Sequence, residues 1–140
     1  MNLINKTIFL MINFFSKYKF IFYLFNLILI LLYLFPGSIL GWFIYNNKNI
    51  QPQISPNFIV STNHVYAFLI LSLVGFLSYK RKSYFYLSFY LIFLSLILEI
   101  MHIFIPERGF EFADLFGNLV GVIIIIILSY LFKVYENFKD

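Results

Sequence analysis

The sequence predicts an all-α membrane protein, an antiparallel bundle of four transmembrane helices that forms one domain over residues 1–140. Two observations lead to this fold class. The composition is 62% hydrophobic and only 11% charged, whereas a soluble domain is about half apolar and about a quarter charged. The apolar residues also fall into four runs near the length of about 20 residues that a helix needs to cross a bilayer. So few polar side chains cannot cover a water-facing surface, which disfavours a cytosolic enzyme and a secreted domain.

The four predicted spans are residues 20–35, 62–79, 84–105 and 112–132. The first ends at Pro36 and is short, but it can be extended through residues 37–43. The second follows an asparagine- and proline-rich segment at residues 46–56, which predicts irregular chain, and it ends at the basic triplet 80–82. The third ends at Pro106, a common type of helix terminator, and the fourth contains an unbroken isoleucine run.

The apolar segment from Thr7 to Phe15 is predicted to form a short interfacial helix at the N-terminus. Running it straight into the first span would place Lys17 and Lys19 in hydrocarbon, at a cost of about 2.5 to 3.5 kcal/mol each at mid-membrane. A cleaved signal peptide is the alternative for the first 38 residues. No small-x-small cleavage site follows Phe35, so the first span is interpreted as retained.

Lysine and arginine residues predict the orientation, because positively charged loops stay in the cytoplasm. With the N-terminus inside, the cytoplasmic side holds Lys6, Lys17, Lys19, Lys80, Arg81, Lys82, Lys133 and Lys139. The outer side holds only Lys48 and Arg108. We therefore expect a multi-pass protein of the cytoplasmic (inner) membrane with both termini in the cytoplasm. The basic residues behind the net charge of +4 are explained by this topology. We therefore expect membrane lipids rather than nucleic acid as partners.

Ionisable and amide side chains gather at the predicted outer end of the bundle, where each needs a partner, water or a ligand. They are His64 in the second span, Glu99 and His102 in the third, Arg108 in the following loop, and Glu111, Asp114 and Asn118 around the start of the fourth. The spacings of three and four residues put Glu99 with His102, and Glu111 with Asp114 and Asn118, on common helix faces. Because the connection between the last two spans is short, these helices are predicted to be antiparallel neighbours that bring Glu99, His102 and Asp114 together.

Small residues repeat every four positions at the start of the fourth span, at Ala113, Gly117 and Gly121. This pattern lets membrane helices approach closely. We interpret it as a helix-packing face that binds no ligand.

The stretch EIMHIFIPERGFEFADLFGNLVG, residues 99–121, resembles the VanZ-like family of small bacterial membrane proteins. Positions that match the family pattern are Glu99, Pro106, Arg108, Asp114, Asn118 and Gly121. His64 is similar to the histidine that begins the family's second span. Two features depart from the pattern: His102 stands at a glutamine position, and Val60 and Ser61 stand where the family has an aspartate and a lysine. An activity that needs that pair is therefore not implied for this chain.

The resemblance implies a role like that of the teicoplanin-resistance protein for which the family is named. On this interpretation, an outward-facing polar pocket in a bacterial cytoplasmic membrane engages a cell-envelope component, such as a lipid-linked precursor, or an envelope-directed amphiphile. The candidate ligand-binding residues are Glu99, Arg108, Asp114, Asn118, His64 and Glu111. Arg108 is suited to a phosphate at the headgroup level. The alternative for Arg108 is an intramolecular salt bridge to Glu99, Glu111 or Asp114.

The same residue types are also those of catalytic and metal-binding sites. Glu99, His102 and Asp114 are candidate acid and base groups of an intramembrane enzyme acting on a lipid-linked substrate, although no nucleophile lies in a recognisable motif. Glu99-x-x-His102 has the spacing of di-metal bundles, but no second such pair exists. A mononuclear site completed by His64 and Asp114 is conceivable. With one such pair and no cysteine, the sequence predicts neither a metal nor a cofactor.

The predicted topology is testable because the chain has no cysteine of its own. On intact cells, an impermeant thiol reagent should label an Asn49→Cys variant and leave a Lys82→Cys variant unlabelled, since the two positions lie in loops on opposite sides. Labelling of the Lys82→Cys variant alone would reverse the orientation.

Overall fold

The computed structural model describes residues 3–56 and 59–137, and every regular element in them is helical. The α-helices are α1 Leu3–Lys17, α2 Phe20–Leu34, α3 Ile39–Tyr45, α4 Thr62–Ser78, α5 Tyr84–Met101 and α6 Phe112–Asn137. Short 3-10 turns flank α5 at Arg81–Ser83 and His102–Phe104. The all-helical prediction is confirmed for these residues. Lys139, one of the cytoplasmic charges in the predicted topology, lies outside them.

Two helical stretches are long and apolar enough to cross a membrane. They are Arg81–Phe104 and Phe112–Phe132, with mean hydropathies of 2.1 and 2.5. Leu10–Lys17 of α1 and Phe20–Leu34 form a pair bent by 72°, which adds a third span if the pair crosses as one. The helix α4 is apolar but has only 17 residues. These helices indicate a membrane protein, and the four-span bundle stays a prediction.

The first span does not extend through residues 37–43, so this part of the prediction is wrong. The chain leaves the helical conformation at Phe35 (φ −73°, ψ 134°), and α3 begins afresh with a cap in which Gly41 N donates to Ser38 Oγ at 3.0 Å. The turn depends on Gly37, whose φ of +76° is unfavourable for other residues. A Cβ there would also lie 2.7 Å from the Lys48 carbonyl oxygen. Residues 37–50 therefore fold back over the end of α2.

The most extensive helix contact joins α4 and α6. The backbone N–H of Ser61 donates to the Ala113 carbonyl at 3.1 Å. Further along, Gly117 faces Ser61 and His64, and Gly121 faces Val65 and Leu69. Because both helices advance from the same end, they are parallel. The small-residue face thus meets α4, while α5 also contacts α6 as its neighbour across the short loop.

An apolar core lies directly beneath the end at which α4 and α6 begin. Phe68 and Leu71 of α4, Leu91 and Leu98 of α5, and Val122 of α6 are all buried. Large apolar side chains also lie on the outer surface, among them Phe85, Tyr86 and Phe89 of α5. Such a surface fits lipid as the surrounding solvent. The core fixes the helices whose ends carry the polar residues.

Gly121→Ala should destabilise the protein by about 1 to 3 kcal/mol, because even one methyl group forces the packed helices apart. A Cβ at Gly121 would lie 2.5 Å from the Val65 carbonyl oxygen and 2.8 Å from the Leu69 nitrogen, and both atoms are backbone. Gly109→Ala is the matched control, since a Cβ there meets nothing within 4 Å. Thermal unfolding of the detergent-purified variants measures the difference, and equal stability of the two would exclude the close contact.

Candidate functional site

Four helix ends and one loop assemble a buried polar cluster. The loop after α5 and the beginning of α6 close over the C-terminal end of α2 and the N-terminal end of α4. The structure brings together His64, Glu99, His102 and Asn118, which are 5%, 0%, 1% and 0% exposed. Asp114 lies beside His64 and is partly buried, whereas Glu111 is exposed. Polar groups buried to this extent need internal partners.

Glu99 and His102 form the deepest part of the cluster. Glu99 Oε1 accepts a hydrogen bond from the Glu111 backbone N–H at 3.0 Å, so Glu111 contributes its amide here rather than its carboxylate. Glu99 Oε2 lies 3.3 Å from His102 Nδ1, but no hydrogen bond of acceptable geometry reaches this oxygen from the described residues. His102 Nε2 donates to the Tyr33 carbonyl at 3.1 Å, because a carbonyl can only accept. The loop after α5 is thereby fastened to α2.

His64 contacts a serine and a carboxylate through the same ring nitrogen. Its Nδ1 lies 2.8 Å from Ser61 Oγ and 3.3 Å from Asp114 Oδ1. A serine-histidine-aspartate triad needs the hydroxyl and the carboxylate at opposite ring nitrogens. This arrangement therefore offers no activated serine nucleophile. Ser61, one of the departures from the family pattern, instead helps to hold His64 against α6.

Tyr33 lies at the centre of the cluster, although it was not among the predicted site residues. Its hydroxyl donates to Asn118 Oδ1 at 2.6 Å. Its ring stacks on His102 at 5.7 Å and meets His64 edge-on at 5.2 Å between ring centroids. The only sequence signal was its place at the outer end of the first span, which several other aromatic residues share. Asn26, nearer the start of α2, was missed as well. Its side-chain amide donates to the Tyr90 hydroxyl of α5.

Arg108 binds the C-terminal end of α2 instead of a carboxylate. Its Nη2 and Nε donate to the carbonyls of Leu32 and Phe35 at 3.3 and 3.4 Å, and Nη1 reaches Gln51 Oε1 at 3.5 Å. Among residues 3–56 and 59–137, no carboxylate oxygen lies within 4 Å of the guanidinium. The salt bridge that the sequence left open for Arg108 is therefore not what the structure shows. Arginine is favourable here because a helix C-terminus exposes unpaired carbonyls and carries partial negative charge.

Burial lowers the pKa of the Arg108 guanidinium from its ordinary value, because desolvation disfavours the charged form. The negative charge of Asp114 opposes this effect most strongly. An arginine nevertheless stays protonated in a protein. Arg108 is thus a permanent positive charge held by neutral groups.

Two cavities meet at Arg108. A polar cavity of about 150 Å³ is lined by residues that include Lys48, His102, Arg108, Glu111 and Asp114. An apolar cleft of about 420 Å³ runs between α2, α3 and α4 and is lined by Leu32, Ile39, Leu40, Ile44, Ile70 and others. Both cavities share Ser38, Gln51 and Arg108. The charged head and the apolar stem of an amphiphile would meet complementary surfaces here.

A metal-ligating arrangement is also present within the cluster. One ligand atom each of His64, Glu99 and Asp114 lies within 4.8 Å of the other two. These residues come from α4, α5 and α6. The Glu99-x-x-His102 pair supplies only Glu99 to this set.

Comparison with protein-family models, with curated proteins and with solved structures gives no match to this chain. The resemblance of residues 99–121 to the VanZ-like family therefore remains an expectation. The geometry of the cluster and its cavities is the basis on which function is inferred.

Tyr33→Phe should destabilise the protein by about 1 to 3 kcal/mol, because it leaves the buried Asn118 amide without its hydrogen-bond donor. The Asn118 Nδ2 group already has no partner among the described residues. The double variant Tyr33→Phe, Asn118→Leu replaces both polar partners by apolar groups and should recover much of the loss. Thermal unfolding in detergent compares the wild type, the Tyr33→Phe and Asn118→Leu single variants and the double variant. A double variant that loses the sum of both single effects would show that the pair is not coupled.

Proposed function

We propose that the chain is a VanZ-like protein that crosses a bacterial cytoplasmic membrane four times and binds an anionic amphiphile of the cell envelope in an outward-facing pocket. A lipid-linked envelope precursor and an anionic membrane lipid share the required chemistry, a phosphate head on an apolar stem. The four spans would be α2, α4, α5 and α6. At 17 residues, α4 is at the lower limit of about 17 for a span.

One observation carries this proposal: Arg108 lines both the polar cavity and the apolar cleft. A ligand with only a polar head would need the first cavity, and a purely apolar ligand would need the second. An amphiphile uses both and places its charge where they join. Arginine is well suited to this position because its planar fork binds phosphate through two hydrogen bonds.

The hydrogen-bond partners of Arg108 favour an anionic head, although Glu107, Glu111 and Asp114 also line the polar cavity. Its present partners are two carbonyls and one amide oxygen, at 3.3 to 3.5 Å. These are long and neutral hydrogen bonds, so exchanging one for a phosphate oxygen costs little and gains a charge-assisted contact. Lys48 at the rim adds a second positive charge, although it pairs with Glu107 at 2.7 Å.

The alternative of an intramembrane enzyme has less support. Glu99 and His102 have the residue types for acid and base chemistry, but their other atoms bind the Glu111 amide and the Tyr33 carbonyl. Both are almost completely buried. A general acid or base must reach the reacting group directly or through one water. We therefore assign both residues to the support of the pocket: Glu99 lies behind its wall, and His102 lines the polar cavity with its ring held by the Tyr33 carbonyl.

Arg108→Gln should weaken binding of a short-chain phosphatidylglycerol by roughly tenfold, the loss of one hydrogen bond to a charged group. Native mass spectrometry of the detergent-purified protein measures the bound lipid, with phosphatidylcholine of the same chain length as the zwitterionic comparison. Lys80→Gln removes an exposed positive charge at the opposite end of the bundle and should leave binding unchanged. Equal binding by wild type and Arg108→Gln would contradict the proposal.

A cellular measurement separates this role from a structural one. Arg108→Gln should leave expression and thermal stability intact while removing any tolerance to a lipoglycopeptide that the intact protein confers. If Arg108 only supported the fold, stability and tolerance would fall together.

A further inference from the structure

We propose that His64, Glu99 and Asp114 bind one divalent transition-metal ion at the junction of α4, α5 and α6. The proposal goes beyond the binding of an amphiphile, which requires only Arg108 and the two cavities. It departs from the sequence prediction of no metal, which rested on the single Glu99-x-x-His102 pair. The sequence left open a mononuclear site with His64 and Asp114, and the fold brings one ligand atom of each within 4.8 Å of Glu99 and of each other.

The distances are close to those of a metal site. Zinc binds nitrogen and oxygen ligands at about 2.0 to 2.2 Å, so two ligand atoms around one tetrahedral ion lie roughly 3.3 to 3.6 Å apart. His64 Nδ1 and Asp114 Oδ1 are already 3.3 Å apart. The Glu99 ligand atom lies within 4.8 Å of the other two, so a shift of about 1 Å brings it to ligand distance.

An independent observation points to a missing cation partner. Glu99 is 0% exposed, and its Oε2 has no hydrogen-bond partner among the described residues. A buried carboxylate oxygen without a partner is costly, and such groups are normally paired or coordinate a metal. The other Glu99 oxygen is held by the Glu111 amide, so the side chain is fixed with its unpaired oxygen in the cluster.

His102 has the orientation of a metal-bound histidine. Histidines that bind metals usually donate their other ring N–H to a carboxylate or a backbone carbonyl, which fixes the tautomer. His102 Nε2 donates in this way to the Tyr33 carbonyl at 3.1 Å. In the neutral ring this leaves the Nδ1 lone pair 3.3 Å from Glu99 Oε2. His102 therefore lies beside the Glu99 ligand, outside the set of three residues whose ligand atoms are within 4.8 Å of one another.

The ligand types select the metal class. Imidazole and carboxylate without thiolate suit zinc, manganese and iron(II), whereas magnesium and calcium prefer sites built from oxygen alone. The rival explanation is a Glu99–His102 ion pair with a doubly protonated imidazole and no metal. The two explanations differ in metal content, so they can be separated directly.

The test uses the full chain in detergent, stripped with EDTA and reconstituted with zinc. After desalting, elemental mass spectrometry should find about one zinc ion per chain, because a site with three protein ligands retains the ion while the buffer is exchanged. Asp114→Asn and His64→Gln should lose most of this zinc. Glu107→Gln, which removes an exposed carboxylate at the same end of the bundle, should keep it. Zinc well below one equivalent in the folded wild type, or equal zinc in all four proteins, overturns the proposal.

A second measurement on the wild type guards against variants that fail to fold. Cobalt(II) bound by nitrogen and oxygen ligands in a site of low symmetry gives visible absorption bands that differ from those of the hydrated ion. We expect these bands after cobalt reconstitution, and we expect zinc to displace them and to raise the unfolding temperature. A spectrum of hydrated cobalt alone, with no stabilisation by zinc, overturns the proposal while leaving the binding of an amphiphile at Arg108 untouched.

Discussion

The close approach of α4 and α6 is the constraint on which the rest of the site depends. Gly117 and Gly121 leave no room for a side chain between these helices, since a Cβ at either would lie 2.5 to 2.6 Å from a carbonyl oxygen at Ser61 or Val65. Ser61 bonds to Ala113 at the same end. The contact fixes the rotation and the height of α6 against α4. His64 consequently faces Asp114, although the two residues belong to helices separated by the whole of α5.

The polar cluster is held together by backbone, hydroxyl and amide groups as well as by its ionisable side chains. The Tyr33 carbonyl binds His102, the Tyr33 hydroxyl binds Asn118, and the Glu111 amide binds Glu99. In a membrane, such internal partners replace water, and each is needed because an unsatisfied polar group in hydrocarbon costs several kcal/mol. Two buried atoms of the cluster still lack partners within the described residues, Glu99 Oε2 and Asn118 Nδ2. Because the neighbouring polar groups have partners, these two atoms stand out as positions that lack one.

The sequence predicted where the helices begin better than it predicted the contacts between them. Hydropathy and the flanking charges placed the first residue of each predicted span where α2, α4, α5 and α6 begin, because membrane helices are set by length and apolarity. The sequence did not predict that the helix stops at residues 35–38 and that a separate α3 follows. This break depends on the backbone conformation of Gly37. Spacing gathered Glu99 and Asp114 at one end of the bundle, but it could not show that Arg108 binds carbonyls of α2 or that Tyr33 joins the cluster. Those contacts span 69 to 85 residues of sequence.

The two proposed sites use different side chains but adjoin the same polar cavity. Arg108 and Asp114 both line the polar cavity, and His102 lines it as well. With both sites occupied, an anionic head that exchanges with the carbonyl partners of Arg108 would also face a metal ion held by Asp114. The guanidinium and the metal ion would then both attract the anionic head. Of the three carboxylates that line the polar cavity, Asp114 would be neutralised by the ion that it binds, and Glu107 is already paired with Lys48. Metal loading would therefore strengthen the binding of the amphiphile, and by reciprocity the amphiphile would strengthen the binding of the metal.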